Sequence, residues 1–144
     1  VSATVQWTIR NVRAQLHTLD KVEFASPKVS IAGLQMGLTL VLYPTARLNT
    51  LRYAGLFISR GDELPTDVPV GGSSITLYDA DGKMWAKKEY EFGAEVPRGE
   101  LNWGWREFVT CEELVDYCIT KDDTLKIDAL FRLQGLEKFE LVLP

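Results

Sequence analysis

Apolar and polar residues alternate with period two along much of this chain, the signature of strands with one buried face. Val5, Trp7 and Ile9 alternate with Gln6, Thr8 and Arg10, and Asn11 ends that run. Between Met36 and Tyr43, Leu38, Leu40 and Leu42 share a face until Pro44 stops the strand. Tyr53 to Ser59 sets Leu56 and Ile58 on one side and Phe57 on the other, as expected where both faces of a sheet are partly covered. Leu125, Ile127, Ala129, Phe131 and Leu133 alternate with polar neighbours except at Leu130. Shorter strands are expected from Lys21 to Ala25 and from Val29 to Gly33, divided by Ser26-Pro27. Ser73 to Tyr78 and Met84 to Phe92 flank Asp79-Ala80-Asp81-Gly82, a hairpin with Asp-Gly at its tip. Leu136 to Pro144 reads either as a last strand or as a connection to further sequence. The sum is about seven to nine strands, an all-β antiparallel sandwich. Half of each strand points inward in such a fold, so Trp7, Trp85, Phe92 and Phe108 are expected in the core.

One helix interrupts the pattern. Thr110-Cys111-Glu112-Glu113 is a capping box, in which the Thr hydroxyl accepts from the amide three residues on while Glu113 reaches back, and it predicts a helix from about Thr110 to Tyr117. Cys111, Leu114, Val115 and Cys118 then fall on one stripe, so the cysteines read as small buried hydrophobes. Two helical turns separate their α-carbons by roughly 10 Å, whereas a disulfide wants under ~7 Å. Val12 to Asp20 fits either a helical turn or a loop. Arg60 to Gly72, with Gly61, Pro65, Pro69 and Gly71-Gly72, reads as a long connection within one domain.

The 144 residues suffice for a single hydrophobic core without staples. A net charge of −4 and a pI near 5.0, with no basic run, argue against nucleic-acid binding. No apolar run approaches the ~20 residues that span a bilayer. Val1 opens into strand-like sequence without a signal-peptide pattern, so a cytoplasmic or nuclear domain excised from a longer protein is expected.

Catalytic chemistry has little to stand on. The only histidine, His17, reads as an exposed or packed side chain, and no acid, base and nucleophile set is apparent, so the domain is expected not to be an enzyme. Asp79 and Asp81 lack calcium-loop spacing, because Gly82 stands at position four of the loop and Lys83 at position five. Gly71-Gly72-Ser73-Ser74 lacks the lysine of a phosphate loop and precedes a strand. No metal or cofactor is expected. What stands out is Lys88 to Phe108, KEYEFGAEVPRGELNWGWREF, whose rings beside a glycine suit gripping a partner. Gly104 in particular is expected to let a partner's backbone approach closely.

A set of signposts in order resembles the MATH domain, also called the TRAF C-terminal domain. They are Trp7-x-Ile9-x-Asn11, Ser26-Pro27 with Gly33, Leu42-Tyr43-Pro44, Tyr53-Ala54-Gly55-Leu56-Phe57-Ile58, Leu77-Tyr78-Asp79-Ala80-Asp81-Gly82, Tyr90-Glu91-Phe92, Trp103-Gly104-Trp105 through Phe108, Leu114, and Asp122-Asp123-x-Leu125-x-Ile127. The resemblance implies an eight-stranded antiparallel sandwich that binds short linear peptides of partner proteins. In the ubiquitin-ligase adaptors of that family the domain recruits substrates, and others serve deubiquitinases or trimeric receptor scaffolds. Carried over from those adaptors, the peptide groove would hold Tyr53, Tyr90, Asn102, Trp103, Gly104, Trp105 and Arg106. This chain departs from them at Ser73, where they place an aromatic, and at Trp105, where they place Phe. The basic contact of the receptor adaptors falls on Val41-x-Tyr43 and is missing. The alternative reading is a structural or oligomerising scaffold domain, its assembly driven by a coiled coil outside this chain. A sugar binder is disfavoured, because the calcium geometry at Asp79 and Asp81 fails.

Overall fold

The alternating segments fold into strands that pair antiparallel throughout. The computed structural model describes residues 2–16, 21–31, 34–43, 52–60, 68–69, 73–89, 95–96 and 102–132. In chain order the strands are β1 (Ser2–Arg10), β2 (Val22–Ala25), β3 (Val29–Ile31), β4 (Leu34–Leu42), β5 (Tyr53–Arg60), β6 (Val68–Pro69), β7 (Ser74–Tyr78), β8 (Met84–Glu89), β9 (Glu95–Val96), β10 (Asn102–Thr110) and β11 (Thr124–Arg132). One sheet runs β1-β11-β7-β8, and the other runs β10-β5-β4-β2 with β3 also on β4. A two-residue pair, β6 and β9, stands apart from both.

The two sheets hold nine strands rather than eight. The extra one comes from a break at Ser26-Pro27, which divides β2 from β3 along the same partner strand. Proline has no amide to donate to a ladder, and Ser26 keeps the two halves attached. Its amide donates to the Leu38 carbonyl at 2.9 Å, and its hydroxyl accepts from the Leu38 amide at 2.8 Å.

Between the sheets lies the core. Leu38, Leu40 and Leu42 of β4 and Ala54, Leu56 and Ile58 of β5 meet Ile75, Leu77, Leu125, Ile127 and Phe131, all buried. Trp7 is buried there as its alternation requires, and Phe108 is buried as well, within the stretch where β10 slips its register on β5. Trp85 is not: it is 37% exposed. Leu77 pairs with Ala86 but Tyr78 pairs with Met84, so Trp85 is the extra residue of a β-bulge. A bulge re-aims the side chain it carries, and the simple alternation from Met84 onward is broken there. Phe92, also expected in the core, lies outside the described residues, as do residues 133–144.

Two helical segments close the ends of strands. α1 (Val12–Leu16) follows Asn11, whose φ of 61° is the left-handed conformation that Asn tolerates. The cap of α1 comes from far along the chain: Asp123 Oδ1 accepts from the Arg13 amide at 2.9 Å, and the Asp123 carbonyl from the Asn11 amide at 3.0 Å. α2 (Cys111–Glu113) begins with the expected capping box on Thr110. It then widens into a π-helical turn, Leu114–Cys118, closed by the Ile119 amide on the Leu114 carbonyl at 2.8 Å. Widening rotates the stripe, so Cys111, Leu114 and Cys118 are buried while Val115 is exposed. Both cysteines are free thiols.

Candidate functional site

β10 is the last strand of its sheet, and among the described residues nothing pairs with its outer edge. Its inner edge is built by β5. Asn102 pairs with Ser59, Trp103 with Ile58, Gly104 with Phe57 and Trp105 with Leu56, after which the register slips before Val109 meets Ala54. The slip leaves Arg106, Glu107 and Phe108 in a bulge opposite Gly55, the first two exposed and Phe108 buried. Of Asn102 and Trp103 only the backbone is described.

Trp105 shares a face with buried Leu56, packs half-buried against the core, and meets Phe108 edge-on at 6.0 Å between ring centroids. Tyr53, opposite Thr110, alternates with buried Ala54 and so stands on the other side of the sheet, half-buried. These two predicted groove residues therefore do not share a face. Tyr90 and the lone histidine, His17, lie outside the described residues.

Gly104 is needed for a different reason from the one its sequence suggested. A Cβ there would sit 2.7 Å from the Phe57 Cα and would run into the Leu56 carbonyl. The space is taken by β5 of the same sheet, not kept for a guest.

On the outer face of the sheet, Arg106 lays its guanidinium over the Tyr43 ring, Cζ 4.4 Å from the centroid, and the Lys21 ammonium stands 5.9 Å from the same ring. Gly55 makes this possible, since a Cβ there would meet Phe57 Cε2 at 2.8 Å and Tyr43 Cε2 at 2.9 Å. The two rings flank a hollow of about 220 Å³ that also touches Lys21, Glu23, Thr39 and Val41. Lys21 pairs with Glu23 at 3.2 Å.

No family model and no curated protein matches this chain.

Lys88 is the contributor that sequence reasoning passed over. It pairs with buried Ile75 in the ladder of β7 and β8, so it leans toward the gap between the two sheets. There its Nζ donates to the Glu107 carbonyl at 3.3 Å and lies 5.4 Å from the Phe108 centroid. Glu107 lies in the bulge of a terminal strand, where it has no ladder partner among the described residues, and the ammonium takes that place. Only the lysine's position inside the aromatic stretch hinted at this. Tyr43 and Phe57 were equally missed, because the sequence does not reveal that Gly55 makes room for a ring of its own strand and one from the end of the neighbouring strand.

The remaining titratable groups of note are the thiols. Burial raises Cys111 to about 11, with Arg52 opposing, and Cys118 to about 12, with Glu113 and Asp79 adding to the rise. Such thiols are weak nucleophiles near neutrality. At the hairpin tip, Asp79 Oδ1 accepts from the amides of Asp81 and Lys83, both at 2.9 Å, which is turn geometry.

Proposed function

We propose that this chain is a peptide-recognition module that takes a short extended segment of a partner protein along the outer edge of β10. The observation that carries the reading is the state of that edge. Among the described residues β10 ends its sheet, and the carbonyl of the exposed Glu107 receives a lysine ammonium there. An added strand gains main-chain hydrogen bonds for register, while alternate side chains contact whatever flanks the edge on each face. Here the flanks differ: Trp105 lies on the core side, and Arg106 on Tyr43 lies on the outer side.

The family resemblance in the sequence supports the same reading and adds its setting, substrate recruitment in ubiquitin signalling. Recognition rather than catalysis suits a site built of rings and cations, with thiols shifted away from reactivity.

A random peptide library panned against the 144-residue chain tests this. Enriched peptides are expected to weaken by about 30-fold or more on Trp105→Ala, the ~2 kcal/mol typical of a hot-spot ring. Trp105→Tyr keeps a ring for the fold and should lose less. Failure to enrich any peptide, or equal binding by folded Trp105→Ala, sinks the proposal.

A further inference from the structure

A second surface stands apart from β10, where β8 meets the α2 segment. Met84, Trp85, Val115 and Tyr117 are the large apolar side chains exposed among the described residues. Two of them form one object: the rings of Trp85 and Tyr117 stack with centroids 4.6 Å apart and planes 16° from parallel. Tyr117 remains 53% exposed and Trp85 37%.

The stack is held from three directions. The bulge turns Trp85 out of the core. The indole Nε1 donates to Glu113 Oε2 at 2.9 Å. The Tyr117 carbonyl accepts from the Ala80 amide of the hairpin at 2.8 Å, tying the π-helical turn to the loop beside it. Rings fixed before contact lose little conformational entropy on binding.

Charge selects the occupant. Glu112 and Asp116, four residues apart on the helical segment, are both exposed, and neither has an ion-pair partner among the described residues. Asp81 is exposed on the adjoining hairpin tip. Of the nearby cations, Lys87 is already paired with Glu89 at 3.1 Å, Lys83 is exposed at the hairpin, and Arg52, which lines a hollow with Glu112 and Asp116, donates to the carbonyls of Tyr43 and Leu16. An aromatic face attracts a cation through its quadrupole, Trp most strongly, and a guanidinium stacks on such a face while its edge bonds to carboxylates. We infer that the Trp85–Tyr117 stack, with Glu112 and Asp116 beside it, docks an arginine- or lysine-bearing segment of a partner protein.

The same carboxylates disfavour an anionic bilayer surface.

Fluorescence anisotropy of a labelled arginine-glycine peptide with the 144-residue chain at low salt is the test, with a glutamate-glycine peptide as comparison. Binding of the arginine peptide alone is expected. Tyr117→Ala should weaken it by about tenfold. The double neutralisation Glu112→Gln/Asp116→Asn alters only exposed side chains without placing a cation beside Arg52, leaves thermal unfolding little changed, and should weaken it by at least as much. The inference is overturned if the arginine peptide fails to bind, or if it binds both variants as it binds the parent. It is equally overturned if sedimentation shows a dimer that Tyr117→Ala dissolves, which would give the surface to a second copy.

Discussion

The Glu113 carboxylate serves two elements at once. Its Oε2 accepts from the indole of Trp85 at 2.9 Å, while its Oε1 lies 3.4 Å from the amide and from the hydroxyl of Thr110, and the Thr110 hydroxyl accepts from the Glu113 amide at 3.1 Å. The bulged residue of β8 is thereby tied to the first turn of α2.

Glu113→Ala removes both functions. The Thr110 hydroxyl still caps the amide of residue 113, so losing the carboxylate half of the capping box costs at most about 1 kcal/mol, and the freed indole adds to it, so a fall of a few degrees in Tm is expected. Glu113→Gln, which keeps one acceptor oxygen where the carboxylate uses two, should recover part of it. Thermal denaturation by circular dichroism of the two variants makes the comparison, and equal melting temperatures would detach the carboxylate from the cap.

Gly104→Ala drives a methyl into the backbone of β5. Overpacking against backbone costs about 1–3 kcal/mol, and a midpoint shift in urea of that size is expected. Gly82→Ala is the contrast. Nothing lies within 4 Å of a Cβ at that hairpin tip, but φ is +85°, so its cost is conformational alone, about 1–2 kcal/mol. Hydrogen exchange separates the two: Gly104→Ala should loosen the amides of β5, and Gly82→Ala should not.

Asp123 combines a left-handed backbone, φ 57°, with the cap of α1. Asp123→Ala loses both and is expected to cost about 2 kcal/mol. Asn keeps an acceptor and tolerates the conformation, so Asp123→Asn should be nearly silent. Asp123→Gly should fall between them, because it relieves the backbone but abandons the Arg13 amide. A different order in chemical denaturation would remove the cap from the account.

The thiols set a limit at high pH. Both are raised above the ordinary 9.0 by burial, so the folded chain holds them protonated where the unfolded chain releases protons. Stability is therefore unaffected below about pH 9 and falls as pH rises through the window from 9 toward 11 and 12. Cys118→Ala is expected to flatten that fall. Ellman's reagent at pH 8 should modify neither thiol of the native protein faster than the protein opens, and rapid labelling would contradict the burial.

Much of the sandwich was legible because strand alternation is a local code. Trp7, Leu38, Leu40, Leu56, Ile127 and Phe131 sit inside as their neighbours announced, and the capping box at Thr110 formed as spelled. Trp85 and Val115 broke the code. One sits at a bulge, where one extra residue reverses which way a strand side chain faces, and the other on a π-helical turn, where widening rotates the helical stripe.

The aromatic stretch was legible as a place but not as a surface. Its residues marked β10, yet whether Trp105 and Tyr53 share a face depends on pairing with β5, and the room at Gly104 proved to be spoken for by that same strand. From its order of residues alone, this protein was determined to be an antiparallel sandwich with one capped helix, since periodicity and capping act between near neighbours. Only the tertiary structure decided that Asp123 caps α1, that Lys88 reaches the Glu107 carbonyl and that Glu113 holds Trp85. Each joins segments remote in sequence, through atoms that meet only after the sheets have closed on one another.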